Sequence, residues 1–207
     1  MRKLFLIIVS FVFLFGEEYN LTKEEIKDAY YQSYKYEKMG DYKDAIKVLI
    51  PVYKLYTNGY TINLRLGWLF YLAGRYENAI KHYNVASMVY PYAVEPKLGL
   101  MRVYNAMGKY NNSVEIGGVI IRQIDYYNFY GNYYDAIALM GLKMYKEAIK
   151  IDYKMLSLYP TSVLYLVNLG INLYNLKAFK KAKSVFENVL ILDPTNVSAK
   201  YYLKLIK

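Results

Sequence analysis

The chain has no cysteine, one histidine, one tryptophan and five prolines in 207 residues. Without cysteine there are no disulfides, no thiol chemistry and no cysteine-ligated metal site. With His82 alone, no second histidine can complete a metal cluster or a catalytic pair, so no metal and no cofactor is expected. No Pro/Gly/Ser-rich linker or low-complexity tract divides the chain, which argues for one continuous array. The apolar run Leu4–Phe15, broken only by Ser10, is shorter than the ~20 residues needed to span a bilayer core.

What the chain does have is a phrase that returns at a fixed period. It reads Met-Gly-Asp-Tyr-Lys-Asp-Ala-Ile at 39–46 and Ala-Gly-Arg-Tyr-Glu-Asn-Ala-Ile at 73–80. It recurs at 107–114, 142–149 and 176–183, so that Tyr42, Tyr76, Tyr110, Tyr145 and Phe179 are 34, 34, 35 and 34 residues apart. A period of this length is the signature of stacked helix–turn–helix units. Each unit reads as two amphipathic helices. Leu66, Leu69 and Phe70 share one face of a first helix, and Ala79, Ile80, Tyr83 and Ala86 share one face of a second. Glycines at 40, 74 and 108 suit the turn between them, and Pro91, Pro160 and Pro194 suit the ends of second helices. Thr22-Lys23-Glu24-Glu25 predicts a capping box that starts the first helix near residue 23.

Leu66-Gly67, Phe70, Gly74, Tyr76, Ala79, Tyr83, Ala86 and Pro91, and again Leu169-Gly170, Phe179, Ala182, Phe186 and Pro194, resemble the tetratricopeptide repeat pattern. The resemblance implies an all-α fold, a right-handed α-solenoid of antiparallel helix pairs. Five repeats fall at about 26–59, 60–93, 94–128, 129–162 and 163–196, with a capping helix at 197–206 whose buried side would carry Val197, Tyr201, Tyr202 and Leu205. The solenoid domain then occupies 17–207. The family's Trp position holds Ala29, Asn63, Lys97, Asn132 and Leu166 instead.

Met1-Arg2-Lys3, the short apolar run and the small Gly16 read as a secretory signal peptide over 1–16, with an N-terminal membrane anchor as the alternative. The expected location is a bacterial periplasm or envelope. The formal charge is +10, and Lys43, Lys47, Lys81, Lys146, Lys150 and Lys180 recur on second helices, which the resemblance places on the outer wall. They read as a solvated face; a column attracting an anionic glycan or membrane surface is the sharper alternative, and nucleic acid is disfavoured by export.

The resemblance puts first helices along an inner groove. Projection of the phase places Tyr30, Tyr34, Arg65, Trp68, Tyr71, Arg102, Asn105, Tyr130, Tyr133, Tyr134, Asn168, Tyr174 and Asn175 there. Tyr, Trp and Arg are the residue types of binding surfaces, and Asn pairs with peptide backbone or sugar hydroxyls. The expected function is an exported, non-enzymatic scaffold holding a peptide or protein partner in this groove. A glycan-associated module of polysaccharide assembly or export is the alternative. Repeats three and four depart from the pattern together: Met101 stands at a small position, Gly117-Gly118 at a large one, Asp135 and Asp152 at apolar ones, and one residue is extra. The two carboxylates lack a nucleophile for catalysis, so pairing with Arg102 or Arg122 is expected. His82 is expected to be exposed and without a role.

Overall fold

The computed structural model describes residues 20–206, so the signal-peptide segment lies outside the described residues. Helix α1 (Lys23–Lys38) begins where Thr22 caps it. Its hydroxyl accepts from the Glu25 amide at 3.2 Å, and the Thr22 amide donates to the Glu25 carboxylate at 2.7 Å. These reciprocal bonds satisfy two donors that a helix start leaves open. Next come α2 (Tyr42–Lys47), α3 (Ile50–Leu55), α4 (Tyr60–Leu72), α5 (Tyr76–Val89), α6 (Val94–Ala106) and α7 (Tyr110–Val119). A π-helical turn (Ile120–Ile124) extends α7. The chain continues as α8 (Phe129–Gly141), α9 (Tyr145–Leu156), α10 (Val163–Asn175), α11 (Phe179–Leu192) and α12 (Val197–Leu205), with no strand among the described residues. The molecule is an all-α solenoid of helix pairs.

First helices α4, α6, α8, α10 and α12 touch one another from repeat to repeat, whereas second helices make no comparable contact among themselves. The stack therefore curves with first helices on its inside. The second helices form the outside, where Lys43, Lys47, Lys81, Lys146, Lys150 and Lys180 are all exposed.

Two local irregularities have covalent causes. Pro51 has no N–H to give the Lys47 carbonyl, and the second helix of the first repeat is split into α2 and α3 around Val48-Leu49. The extra residue of the third repeat is absorbed by the π turn, where the Asp125 amide donates to the Ile120 carbonyl, five residues back, at 2.8 Å. The equivalent closing bonds, Tyr90 to Ala86 and Asp193 to Val189, reach four back. One added residue thus widens one turn and leaves the stacking in phase.

Each repeat buries a pair at the crossing of its helices. Tyr83 lies against Gly67, where a Cβ would come within 2.7 Å of its ring, and Phe186 lies against Gly170 at 2.6 Å. In the third repeat the pair is inverted. Met101 is the large member, and a Cβ on Gly117 would come within 2.8 Å of its methyl group. The two departures compensate, so packing density is kept. In the fourth repeat the same two positions are Ala136 and Asp152, both fully buried.

Two sequence expectations are corrected. His82 is buried, stacked on Phe70 with ring centroids 5.2 Å apart, and its Nδ1 lies 2.8 Å from Asn63 Oδ1. Burial, helped by Lys81, lowers its pKa to about 4, so the ring is neutral near pH 7. The Asn63 amide nitrogen donates to the Thr57 and Gly59 carbonyls, which turns its oxygen toward His82 and makes Nδ1 the donor. The last helix is also rotated from the expected orientation. It seats Ala199 and Tyr202 on the array, with Tyr202 stacked on Phe186 at 5.2 Å, while Val197, Tyr201 and Leu205 face outward.

Candidate functional site

The inner face divides into two halves of different chemistry. In the N-terminal half, α1 and α4 bring Arg65 over the Tyr34 ring at 3.8 Å. Its Nε and Nη2 donate to Ser33 Oγ at 3.1 and 2.9 Å, and its Nη1 forms an ion pair with Glu37. The other Glu37 oxygen accepts from Trp68 Nε1 at 2.7 Å. One carboxylate therefore holds both the guanidinium and the indole. Arg102 of α6 continues the series, 4.8 Å from the Trp68 ring and 5.4 Å from that of Tyr134. Its Nε and Nη2 donate to the Tyr134 hydroxyl at 3.1 and 3.0 Å. Tyr71 stacks on Trp68 at 5.6 Å. Asn105 donates to the Tyr134 carbonyl at 2.9 Å, leaving its own buried Oδ1 without a partner.

A cavity of about 380 Å³ opens beside this network, lined by Tyr30, Tyr34, Glu37, Leu64, Arg65 and Trp68. Burial pushes the Tyr30 hydroxyl up to about 12 and raises that of Tyr71 as well. Both stay neutral and can donate. The expected residues of this half are thus brought together, but they bond chiefly to one another. Of its two arginines, Arg65 is paired with Glu37, whereas Arg102 has no carboxylate partner among the described residues.

In the C-terminal half, a second cavity of about 380 Å³ lies between α8, α10 and the start of α12. Ile137, Met140, Val163, Val167 and Ile171 give it an apolar wall, with Tyr133, Asn168, Asn196 and Ser198 at polar points. Of the expected residues, Tyr133 and Asn168 belong here. Asn168 is almost fully buried and donates to Asp152 Oδ1 at 2.8 Å, so its amide backs the wall rather than reaching into the groove. Tyr174 packs against Phe179 and Tyr202 at 5.3 and 5.0 Å and closes the last repeat instead of lining the groove. Asn175 donates to Ile171 of its own helix, and Tyr130 is exposed. The aliphatic residues are not among those expected, because aromatic and polar side chains are the types that mark a binding surface in a sequence. A signal existed: Ile137 and Ile171 occupy the repeat position of Trp68 and Arg102.

No arginine pairs with either buried aspartate among the described residues, which corrects that expectation. Asp152 accepts instead from Asn168 and, at 3.1 Å, from Asn172. Burial raises its pKa to about 7 against these bonds. Asp135 sits against Gly117 with its Oδ1 unpartnered. Burial raises its pKa to about 6, opposed by Lys154 and Arg122. The groups around Asp152 are amides and tyrosine rings, an arrangement suited to holding helices together.

A tetratricopeptide repeat profile matches residues 63–87. No curated protein matches the chain. Among solved structures, MamA residues 41 to the end from Desulfovibrio magneticus RS-1 superposes with a TM-score of 0.72 at 16% identity, over 86% of this chain and 99% of that one. A tetratricopeptide repeat protein from Parabacteroides merdae gives a TM-score of 0.75 at 14% identity, over 88% and 72% of the two chains. A thermophilic one from Thermus thermophilus gives 0.63 at 19%, over 72% and 81%. At these identities the likeness is one of fold.

Proposed function

We propose that the chain, a solenoid with the fold of tetratricopeptide repeat proteins and one stretch that matches their profile, is a non-catalytic scaffold that holds a peptide segment of a protein partner along its inner face. The observation that carries this reading is the apolar cavity between α8, α10 and α12. An apolar wall with a few fixed polar points is the composition of a site that takes side-chain anchors. Arg102, held in place by Tyr134 and Trp68 and without a carboxylate of its own, supplies a positive point further along the same face. The partner segment is therefore one with aliphatic anchors and an acidic group.

The test is affinity capture from the native cell with the wild-type chain, Ile171→Glu and Lys81→Ala. A partner retained by wild type and Lys81→Ala and lost with Ile171→Glu supports the reading. Retention by Ile171→Glu overturns it. The same proposal places the scaffold outside the cytoplasm, supported by the basic start Met1-Arg2-Lys3 and the apolar run that follows. N-terminal sequencing of the native protein, with Met1 absent, is the expected result.

A further inference from the structure

The cleft between α8, α10 and α12 shares a side chain with the buried Asp152. Asn168 lines the cleft and donates to Asp152 Oδ1 at 2.8 Å. Tyr133 is a second polar point of the cleft. Burial raises the pKa of its hydroxyl, and the charges of Tyr134 and Asp152 add to that rise. One side chain, Asn168, thus reaches from the cleft to the carboxylate, and a second feels its charge.

No cation answers that charge. Helix α10 has no charged residue, and α8 has one, Asp135, which turns toward Gly117. On α9, the helix of Asp152, Lys146, Glu147 and Lys150 are exposed, and Lys154 bonds to Asn132. Tyr165 of α10, fully buried, donates its hydroxyl to the Phe129 carbonyl at 2.6 Å. The amides of Asn168 and Asn172 are therefore what favours the ionised form of Asp152. Against them stands complete burial, which favours the neutral acid.

The neutral acid also has a partner within reach. Asn172 Oδ1 is buried without a donor, while its Nδ2 donates to Asp152 Oδ2 at 3.1 Å. A half-turn of this amide brings the oxygen to Oδ2, where a protonated carboxyl donates to it. The ionised acid accepts two N–H bonds. The protonated acid keeps the bond from Asn168 and donates one of its own. Both protonation states of the cluster are hydrogen-bonded, so a modest change in the surroundings decides between them.

We propose that the cleft takes up its occupant together with a proton on Asp152, so that affinity rises as the solution becomes more acidic through neutrality. The inference rests on the reading of the cleft as the binding site and adds its regulation. An apolar segment seated on Ile137, Val167 and Ile171 displaces water from the wall in front of Asn168. The lower local dielectric penalises the ionised carboxylate and scarcely affects the neutral acid. Burial already raises the Asp152 pKa to about 7 in the free chain, against the two amide bonds. The occupant raises it further. Above neutrality the free chain must gain a proton to reach the bound state, which weakens binding there. Asp135, raised to about 6, and His82, lowered to about 4, titrate at lower pH.

The probe is 1-anilinonaphthalene-8-sulfonate, whose sulfonate keeps its charge throughout the range. Its fluorescence is titrated with the full-length chain at pH 8 and pH 6.5, for wild type, Asp152→Asn and Ile171→Glu. Wild type is expected to bind the dye about two- to fourfold more tightly at pH 6.5. Asp152→Asn, which mimics the neutral acid, is expected to bind equally at both values, close to wild type at pH 6.5. Ile171→Glu is expected to bind weakly at both. Equal wild-type affinity at the two pH values overturns the linkage, and so does a pH dependence that Asp152→Asn retains; either result leaves the cleft reading standing if Ile171→Glu still loses the dye. Dye binding that Ile171→Glu leaves unchanged overturns the cleft reading, and the linkage with it.

Discussion

The two halves of the inner face are built from the same repeat positions and reach opposite states. In the N-terminal half, Arg65, Glu37, Trp68, Arg102 and Tyr134 satisfy one another across α1, α4, α6 and α8. In the C-terminal half, the corresponding positions are Ile137 and Ile171, and their apolar surface is left to solvent. A completed polar network gives a face its shape and rigidity, and it offers a partner little that is not already bonded. An uncovered apolar wall offers a partner the release of water. The comparison assigns stiffness to one half and anchoring to the other.

The largest expected effect breaks the first half. Glu37→Ala removes the carboxylate paired with the buried Arg65 and also frees the Trp68 indole. A stranded buried charge costs on the order of 3 kcal/mol. Chemical denaturation is expected to show a loss of this size, and a loss below about 1 kcal/mol would mean that the network is ornamental.

The next effect separates stability from binding. Ile171→Glu places a charge on the cleft wall and is expected to weaken partner binding by about 2 kcal/mol or more, as loss of a central anchor does. Because Ile171 is only half-buried, stability should fall less. Trp68→Ala is expected to show the reverse, a loss of stability with a smaller loss of binding. Isothermal titration and urea unfolding of both variants decide the matter. If Trp68→Ala abolishes binding and Ile171→Glu does not, the assignment of the two halves is reversed.

Much of this was legible in the sequence and part was not. The repeat phase, the capping box at Thr22 and the positions of the left-handed turns follow from local chemistry that a linear pattern records. The pairing of Met101 with Gly117 could not be read as a pair, because each looks like an isolated departure until the two helices cross. The burial of His82 depends on Asn63 from the preceding helix, at a position where the family pattern predicts Trp. The extra residue of repeat three was visible as a spacing of 35, but not its absorption in a π turn. At the inner face, the repeat phase places the expected residues on first helices, but it does not record what each side chain bonds to. Arginine and tryptophan attract attention as binding types, yet proximity to Glu37 and Tyr134 decides whether their donors are available.

A third prediction concerns the carboxylate behind the cleft. Asp152 has its folded pKa raised to about 7, above the value of an ordinary carboxylate, with Asn168, Asn172, Tyr133 and Tyr165 around it. The folded state thus binds this proton more tightly than the unfolded chain does. Stability from this group is fully present at low pH and is lost as pH rises through about 7. Asp135, raised to about 6, acts in the same direction at lower pH. His82, lowered to about 4 from 6.5, acts oppositely, since its contribution is lost as pH falls below the ordinary histidine range. The window from pH 8 to pH 6.5 therefore reports chiefly on Asp152, with an expected net gain of about 0.5 kcal/mol on acidification once the opposing His82 contribution is included. Asp152→Asn is expected to remove that gain and to raise stability at pH 8. A wild-type chain that loses stability over the same window would show that Asp152 is not the controlling group.

The smallest expected effect lies in the turns that join the two helices of each repeat, and it sharpens the same contrast between halves. Gly40, Gly74 and Gly108 take φ of 76°, 70° and 69°, whereas Lys143 and Lys177 take 61° at the equivalent positions. A side chain in the left-handed region costs about 1 kcal/mol or more from Cβ crowding, while glycine gives back part of this through the entropy it loses on folding. Nothing lies within 4 Å of a Cβ built on any of the three glycines, so crowding by neighbours does not enter the comparison. Lys143→Gly and Lys177→Gly are therefore each expected to stabilise the chain by about 0.5 kcal/mol, and Gly74→Lys to destabilise it by a similar or larger amount. Unfolding of the three variants at one pH measures the difference. Should both lysine-to-glycine changes destabilise instead, the lysines contribute contacts or charge at these turns that outweigh their backbone strain. The C-terminal half would then be held at its turns by interactions that the N-terminal half does without.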